Sequence, residues 1–199
     1  MRESAPDLNR RIAARVRELR DASGFSLETL SSRSGVSRSM ISLIERGESS
    51  PTAVVLEKLA AGLNVTLASL FDSPEAATGS RGPVARREDQ PQWQDPASGY
   101  TRRNVSPPGV PQPMQITEVL FPAGGRVAFE NGVRDVRVHQ QVWVLEGSIE
   151  VTVGKERHSL GAGDCLAMQL DGPTLFHNPT QKPARYAVVI ASEAPPRRR

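Results

Sequence analysis

Hydrophobic residues repeat with a helical period up to about residue 72 and with a strand period beyond about residue 88, and no single layer of secondary structure accommodates both. The chain must therefore fold in two parts. In the first, Leu8, Ile12, Val16 and Leu19 lie four, four and three residues apart, which puts them on one stripe of a helix that Gly24 ends. Ser26 is an N-cap with Glu28 in the favourable first turn, and Leu27 and Leu30 lead to Gly35 at a left-handed C′ position. Ser37 caps a third helix with Met40, Ile41 and Ile44 as its inward side, and Gly47 stops it. Thr52 caps a fourth helix carrying Leu56, Leu59 and Leu63, and Thr66 caps a short fifth with Leu67, Leu70 and Phe71. The prediction is a five-helix domain over residues 1–72.

Residues 73–88 have almost no apolar periodicity and several breakers, as a linker does. Beyond them Met114–Phe121, Val142–Leu145, Ile149–Val153, Cys165–Leu170 and Tyr186–Ile190 are short, β-branched runs bounded by Gly, Pro or Asp. Such spacing predicts an antiparallel sandwich or barrel over residues 89–192, followed by a basic tail at 193–199. Ile149, Val151 and Val153 alternate with Glu150 and Thr152, so that strand has one buried and one wet face.

Composition narrows the function classes. The chain has 199 residues, 38% of them hydrophobic and 24% charged, which excludes full disorder. No apolar run approaches the roughly 18–20 residues of a membrane span, and the N-terminus lacks a signal-peptide core. A cytoplasmic protein with no membrane partner is expected. The single cysteine, Cys165, allows neither an intrachain disulfide nor a Cys-based zinc site. It reads as a small strand hydrophobe, with a redox switch as the alternative. Up to Asp72, ten Lys and Arg stand against nine Asp and Glu. Five of the ten are Arg10, Arg11, Arg15, Arg17 and Arg20, and Arg33, Arg38 and Arg46 form a second cluster. A stripe of arginines can neutralise phosphates while acids elsewhere keep the domain nearly neutral. A solvated helix face is the other reading.

Two helices joined by a short Gly-containing turn are the physical content of a helix-turn-helix, and Ser26–Arg46 has that form. The pattern Gly35-Val36-Ser37, Ile41-Ser42, Ile44-Glu45-Arg46-Gly47, Pro51-Thr52, Leu56, Leu59-Ala60 and Leu70-Phe71 resembles the phage repressor/Cro-type, or XRE, DNA-binding domain. The resemblance implies a recognition helix beginning at Ser37, with Arg38 and Ser39, then Ser42 and Leu43 one turn on, meeting base edges. Arg38 can pair bidentately with a guanine. Ser37 is placed to touch phosphate as well as cap its helix, and Arg10 and Arg46 complete the DNA-binding set. Leu43 can meet a thymine methyl or pack against a neighbouring helix. Many relatives carry Gln where this chain has Leu27, which puts the contact expected there in doubt.

Val142–Gly154 and Leu160–Pro179 are similar to the cupin family of small double-stranded β-barrels. With the first half, they resemble the XRE–cupin class of transcriptional regulators. Metal-binding cupins direct three His and a Glu into the barrel, a donor set for a divalent ion. Aligning on Gly147 puts the Glu at Gln140 and the paired His at Val133 and Asp135; aligning on Gly163 and Asn178 puts the last His at Thr174. The resemblance therefore implies a barrel without metal or other cofactor. Strand parity points Gln140, Val142, Val144, Thr174 and Phe176 inward, as a largely apolar pocket with a few polar handles or as a filled core. Gln140, Val142, Thr174 and Phe176, with Asp135 and His139, are the candidate ligand-binding residues. His158 and His177 read as structural. Trp93, Asp95, Ser98, Gly99 and Tyr100 are candidates to cover the barrel's mouth or edge.

The leading expectation is a one-component transcriptional regulator, a homodimer on an inverted-repeat operator in double-stranded DNA, modulated by a small molecule in the barrel. The alternatives are a metal-dependent cupin enzyme fused to a DNA-binding module, and a barrel that serves only protein interaction.

Overall fold

The computed structural model describes residues 5–71, 82–108, 113–131 and 137–193. Four α-helices open it: α1 (Ala5–Ala22), α2 (Leu27–Ser34), α3 (Arg38–Glu45) and α4 (Ala53–Gly62). Each predicted cap is made. Ser26 Oγ accepts from Thr29 N, Ser37 Oγ from Met40 N and Thr52 Oγ1 from Val55 N. Gly35 closes α2 at φ 68°, a conformation that costs glycine little. The expected fifth helix is instead a 3₁₀ turn, Leu67–Phe71. Five residues close too few i→i−4 bonds to repay nucleation of an α-helix. Leu8, Ile12, Val16, Leu30, Ile41, Ile44, Leu56, Leu59 and Leu70 are buried as the core. Met40, expected inside, is 37% exposed.

Ten antiparallel strands follow, after a 3₁₀ turn at Arg87–Asp89 inside the expected linker. Residues 73–81 of that linker, and 194–199 of the expected tail, lie outside the described residues. The strands are β1 (Gln92–Gln94), β2 (Thr101–Asn104), β3 (Met114–Phe121), β4 (Arg126–Phe129), β5 (Arg137–Glu146), β6 (Ser148–Val153), β7 (Glu156–Gly161), β8 (Cys165–Gln169), β9 (Thr174–His177) and β10 (Ala184–Glu193). They form a six-stranded sheet, ordered β1-β2-β3-β10-β5-β8, and a four-stranded sheet, ordered β4-β9-β6-β7. Alternation along β5 buries Val138, Gln140, Val142 and Val144 and leaves Gln141 and Trp143 outside. Register puts Cys165, Trp143, Ala187 and Glu118 in one row across the outer face of the larger sheet. Cys165 is therefore an exposed strand residue rather than a core hydrophobe.

The two halves share a continuous core. Asp95, in the β1–β2 connection, accepts from the backbone N–H of Ala53 at the start of α4 (2.9 Å) and from Ser98 N (2.8 Å). Asn104 Nδ2 donates to Ala68 O (3.2 Å), and Lys58 pairs with Glu130 (2.8 Å). Rings carry the junction inward: Phe71, Trp93, Tyr100, Phe121, Tyr186, Phe176 and Phe129 follow one another with centroids 5.6–6.1 Å apart. Seven of the nine aromatic residues belong to this row. Trp93, Asp95 and Tyr100 thus hold the helical domain on the sheet's edge.

Candidate DNA interface and barrel cavity

The helical half presents α3 beside α2. Ser37, Arg38, Ser39 and Arg46 are exposed, and Ser42 and Leu43 are half-buried. Arg38 Nη1 lies 2.9 Å from Glu28 Oε2, with both side chains 66% exposed. Arg46 donates through Nε (2.9 Å) and Nη2 (2.8 Å) to the Glu48 carboxylate and through Nη1 to Ser42 Oγ. The hydrogen bonds with Glu48 raise the Arg46 pKa and hold the Glu48 carboxyl below its usual range. Exposed Met40 adds an apolar contact to this face. Sequence reasoning turned it inward because the apolar stripe counted it with Ile41 and Ile44.

The expected phosphate stripe on α1 is mostly structural. Arg11 Nη2 donates to Phe71 O (3.0 Å), and Arg15 donates to Ser69 O and Glu18. Arg20 grips the Glu45 carboxylate bidentately, Nε–Oε1 2.6 Å and Nη2–Oε2 2.9 Å, and donates to Phe25 O. That pairing raises the Arg20 pKa and locks the end of α3 to α1. Arg33 donates to Gly62 O and covers the Phe25 ring. These arginines satisfy carbonyls at helix ends. Of the five in the cluster, Arg10 and Arg17 remain exposed.

The barrel half encloses a cavity of about 70 Å³. Gln140, Thr174 and Phe176 line it, as strand parity requires. Val142 is fully buried but lies off the cavity, packed in the core. His139 stands off it too, because it alternates with Gln140 on β5 and faces the other side of the sheet. Asp135 and Val133 lie outside the described residues. Asn131 Nδ2 bridges Gly172 O (2.9 Å) and Thr174 Oγ1 (3.0 Å), which fixes the threonine hydroxyl. His177 Nδ1 is 3.1 Å from Glu150 Oε2, away from the cavity. Among the described residues no three His, Cys, Asp or Glu converge as a metal site. The neutral amide and hydroxyl of Gln140 and Thr174 are poor donors for the divalent ion of metal-binding cupins, so the residues present do not fit it.

Three lining residues come from the helical half: Glu57 on α4, and Thr66 and Leu67 beside it. Opposite them, β2 contributes Arg102, which is buried at 5% exposure. Its Nη2 donates to Thr117 Oγ1 (3.1 Å), and its guanidinium lies 4.7 Å from the Phe71 ring centroid. Burial lowers the Arg102 pKa, an effect countered by the Glu57 carboxylate and by a hydrogen bond with Tyr100. Burial also raises the phenols of Tyr100 and Tyr186, which stay protonated. Sequence reasoning missed Arg102 and Glu57, because a charged side chain, in the polar run TRRN or off the apolar stripe of α4, reads as solvated.

Known proteins match the same division. The HTH_3 helix-turn-helix family matches residues 16–70 and the Cupin_2 cupin domain residues 137–190. The HTH-type transcriptional regulator SutR of Escherichia coli (strain K12) is 27% identical over 197 residues, 92% of this chain and 96% of its own. The HTH-type transcriptional regulator SinR of Bacillus subtilis (strain 168) is 37% identical over 62 residues, 31% of this chain and 56% of its own. The crystal structure of an HTH_3 family transcriptional regulator from Vibrio cholerae has the same fold, with a TM-score of 0.77 at 23% identity, covering 96% of this chain and 100% of that one. The two halves together define a DNA-binding transcriptional regulator. The chain carries an XRE-type HTH_3 helix-turn-helix domain ahead of a C-terminal cupin domain.

Proposed function

We propose that this regulator binds an inverted-repeat operator as a homodimer and that a small molecule in the barrel cavity changes its operator affinity. One observation carries the reading: the wall of the barrel's cavity is completed by Glu57, Thr66 and Leu67 of the DNA-binding half. A ligand there touches both domains, so it has differential contacts with docked and displaced arrangements, which is what coupling requires. Arg38, Ser39, Ser42 and Leu43 face the bases, with Met40 beside them, and Ser37, Arg10 and Arg46 face phosphates. Pairing of two copies is supported by the outer face of the six-stranded sheet, where Trp143, Leu120 and Met114 are each about half exposed. A two-fold operator requires a second copy, and this face can meet its own equivalent. In this reading the barrel acts as a sensor, since Gln140 and Thr174 offer neutral groups where metal-binding cupins carry ligands.

Footprinting on genomic fragments tests the assignment. Protection should cover half-sites whose centres lie about 34 Å apart or a multiple of it. Arg38→Ala should relax preference at one base pair per half-site, a loss of about 1–3 kcal/mol of discrimination. Unchanged affinity and specificity in that variant would show that the recognition face is elsewhere.

A further inference from the structure

The cavity of the barrel is walled mainly by apolar and aromatic side chains, yet it holds one guanidinium. Arg102 enters from β2 and is almost entirely removed from solvent. Its Nη2 has Thr117, its flat face has Phe71, and its Nε has no hydrogen-bond partner among the described residues. Arginine brings five N–H donors in a fixed fork that matches a carboxylate. A buried charge is costly unless it is paired and its donors are used. Nε, and what Thr117 and Tyr100 leave over of the other donors, are what a planar acid would take.

Resting on the reading that a small molecule occupies this cavity, we infer that the molecule is a small organic acid whose carboxylate seats on Arg102, with Glu57 of α4 as the competing negative charge. Size agrees. On the same measure a single water needs about 10–15 Å³, so about 70 Å³ leaves room for several non-hydrogen atoms. Chemistry agrees at both ends: the acid group meets Arg102, and a short apolar body meets Val119, Phe121 and Val188. Glu57 lines the same space and its field supports the Arg102 charge, so an entering carboxylate takes over that role while repelling the glutamate. The burden of that repulsion falls on α4, whose start is held to the barrel by Asp95.

Calorimetry and thermal shift of the full-length protein with acetate, propionate and butyrate, each matched by its amide, test the inference. The acids should bind and raise the melting temperature while the amides, of the same shape without the charge, do not. Arg102→Gln should weaken the best acid at least tenfold and Arg102→Lys should restore part of the loss; Glu57→Gln should tighten it, because a like charge is gone. Operator binding by each variant confirms that it is folded. Equal binding of acid and amide, no binding of any acid at millimolar concentration, or an unchanged dissociation constant in Arg102→Gln would each overturn the assignment. Weaker acid binding in Glu57→Gln would overturn the competition and indicate a zwitterion that uses both charges. The larger reading fails separately: acids that bind through Arg102 but leave operator affinity unchanged refute modulation by the cavity and leave its chemistry standing.

Discussion

The arginines of the proposed recognition face and the arginine of the cavity carry the same charge under opposite conditions. Arg38 and Arg46 are more than half exposed, and the carboxylates they hold, Glu28 and Glu48, are exposed as well. Such exposed pairs contribute little and dissolve readily in favour of another anion. Arg102 is buried, and its Nε meets no partner among the described residues. The first pair of arginines is parked; the third is committed. Between the extremes stand Arg11, Arg15, Arg20 and Arg33, tied to carbonyls and to Glu45 within the helical domain. Surroundings, rather than the number of arginines, decide which of them can reach a phosphate.

The sharpest way to break this division is Glu45→Ala, which leaves Arg20 with only the exposed Asp21 and the Phe25 carbonyl at a site where the two side chains of the pair are only 13% and 9% exposed. The expected loss is about 3 kcal/mol, read as a fall of roughly 6–12 °C in melting temperature. A loss within about 0.5 kcal/mol, the range of ordinary surface substitutions, would place Arg20 among the exchangeable arginines after all. A smaller effect is expected from Arg10→Ala, which should leave stability unchanged, weaken binding to all DNA sequences alike and lower the salt slope by about 1. Titration at several salt concentrations measures it, and a sequence-dependent loss would promote Arg10 to a base contact. The smallest is Glu28→Gln. Releasing Arg38 and removing an anion next to the duplex should raise operator affinity by about twofold to fivefold, as expected for an exposed pair. Fluorescence anisotropy reads the change; weaker binding would mean that Glu28 positions Arg38 for the base.

The helical half was legible because its signals are local. A serine or threonine three residues before a free amide is written in the sequence, and Ser26, Ser37 and Thr52 cap as expected. The fifth element failed on length, and Met40 failed because it sits in the first turn of α3 at the edge of the apolar arc, about 100° round the helix from Ile41. In the barrel, β3 was read at its observed limits, since MQITEVLF is β-branched and apolar. Thr101–Asn104 and Glu156–Gly161 were not, because TRRN and ERHSLG carry no apolar alternation and become strands by pairing with β3 and β6. Parity still oriented Gln140, Thr174 and Phe176 correctly. Docking of the two domains was beyond local reasoning. Arg102 and Glu57 are buried by each other's domain, and neither sequence neighbourhood contains that information.

The row of rings that runs from Phe71 to Phe129 gives the molecule an optical consequence. Its two tryptophans sit at opposite ends of the solvent scale, Trp93 at 5% exposure between Phe71 and Tyr100, and Trp143 at 50% on the outer sheet. Their emission therefore separates by colour, blue for the first and red for the second, and a polar quencher reaches the second alone. Undocking of the helical domain strips Phe71 from Trp93 and shifts the blue component, while burial of the outer sheet by a second copy shifts the red. One cuvette thus reports the two motions separately.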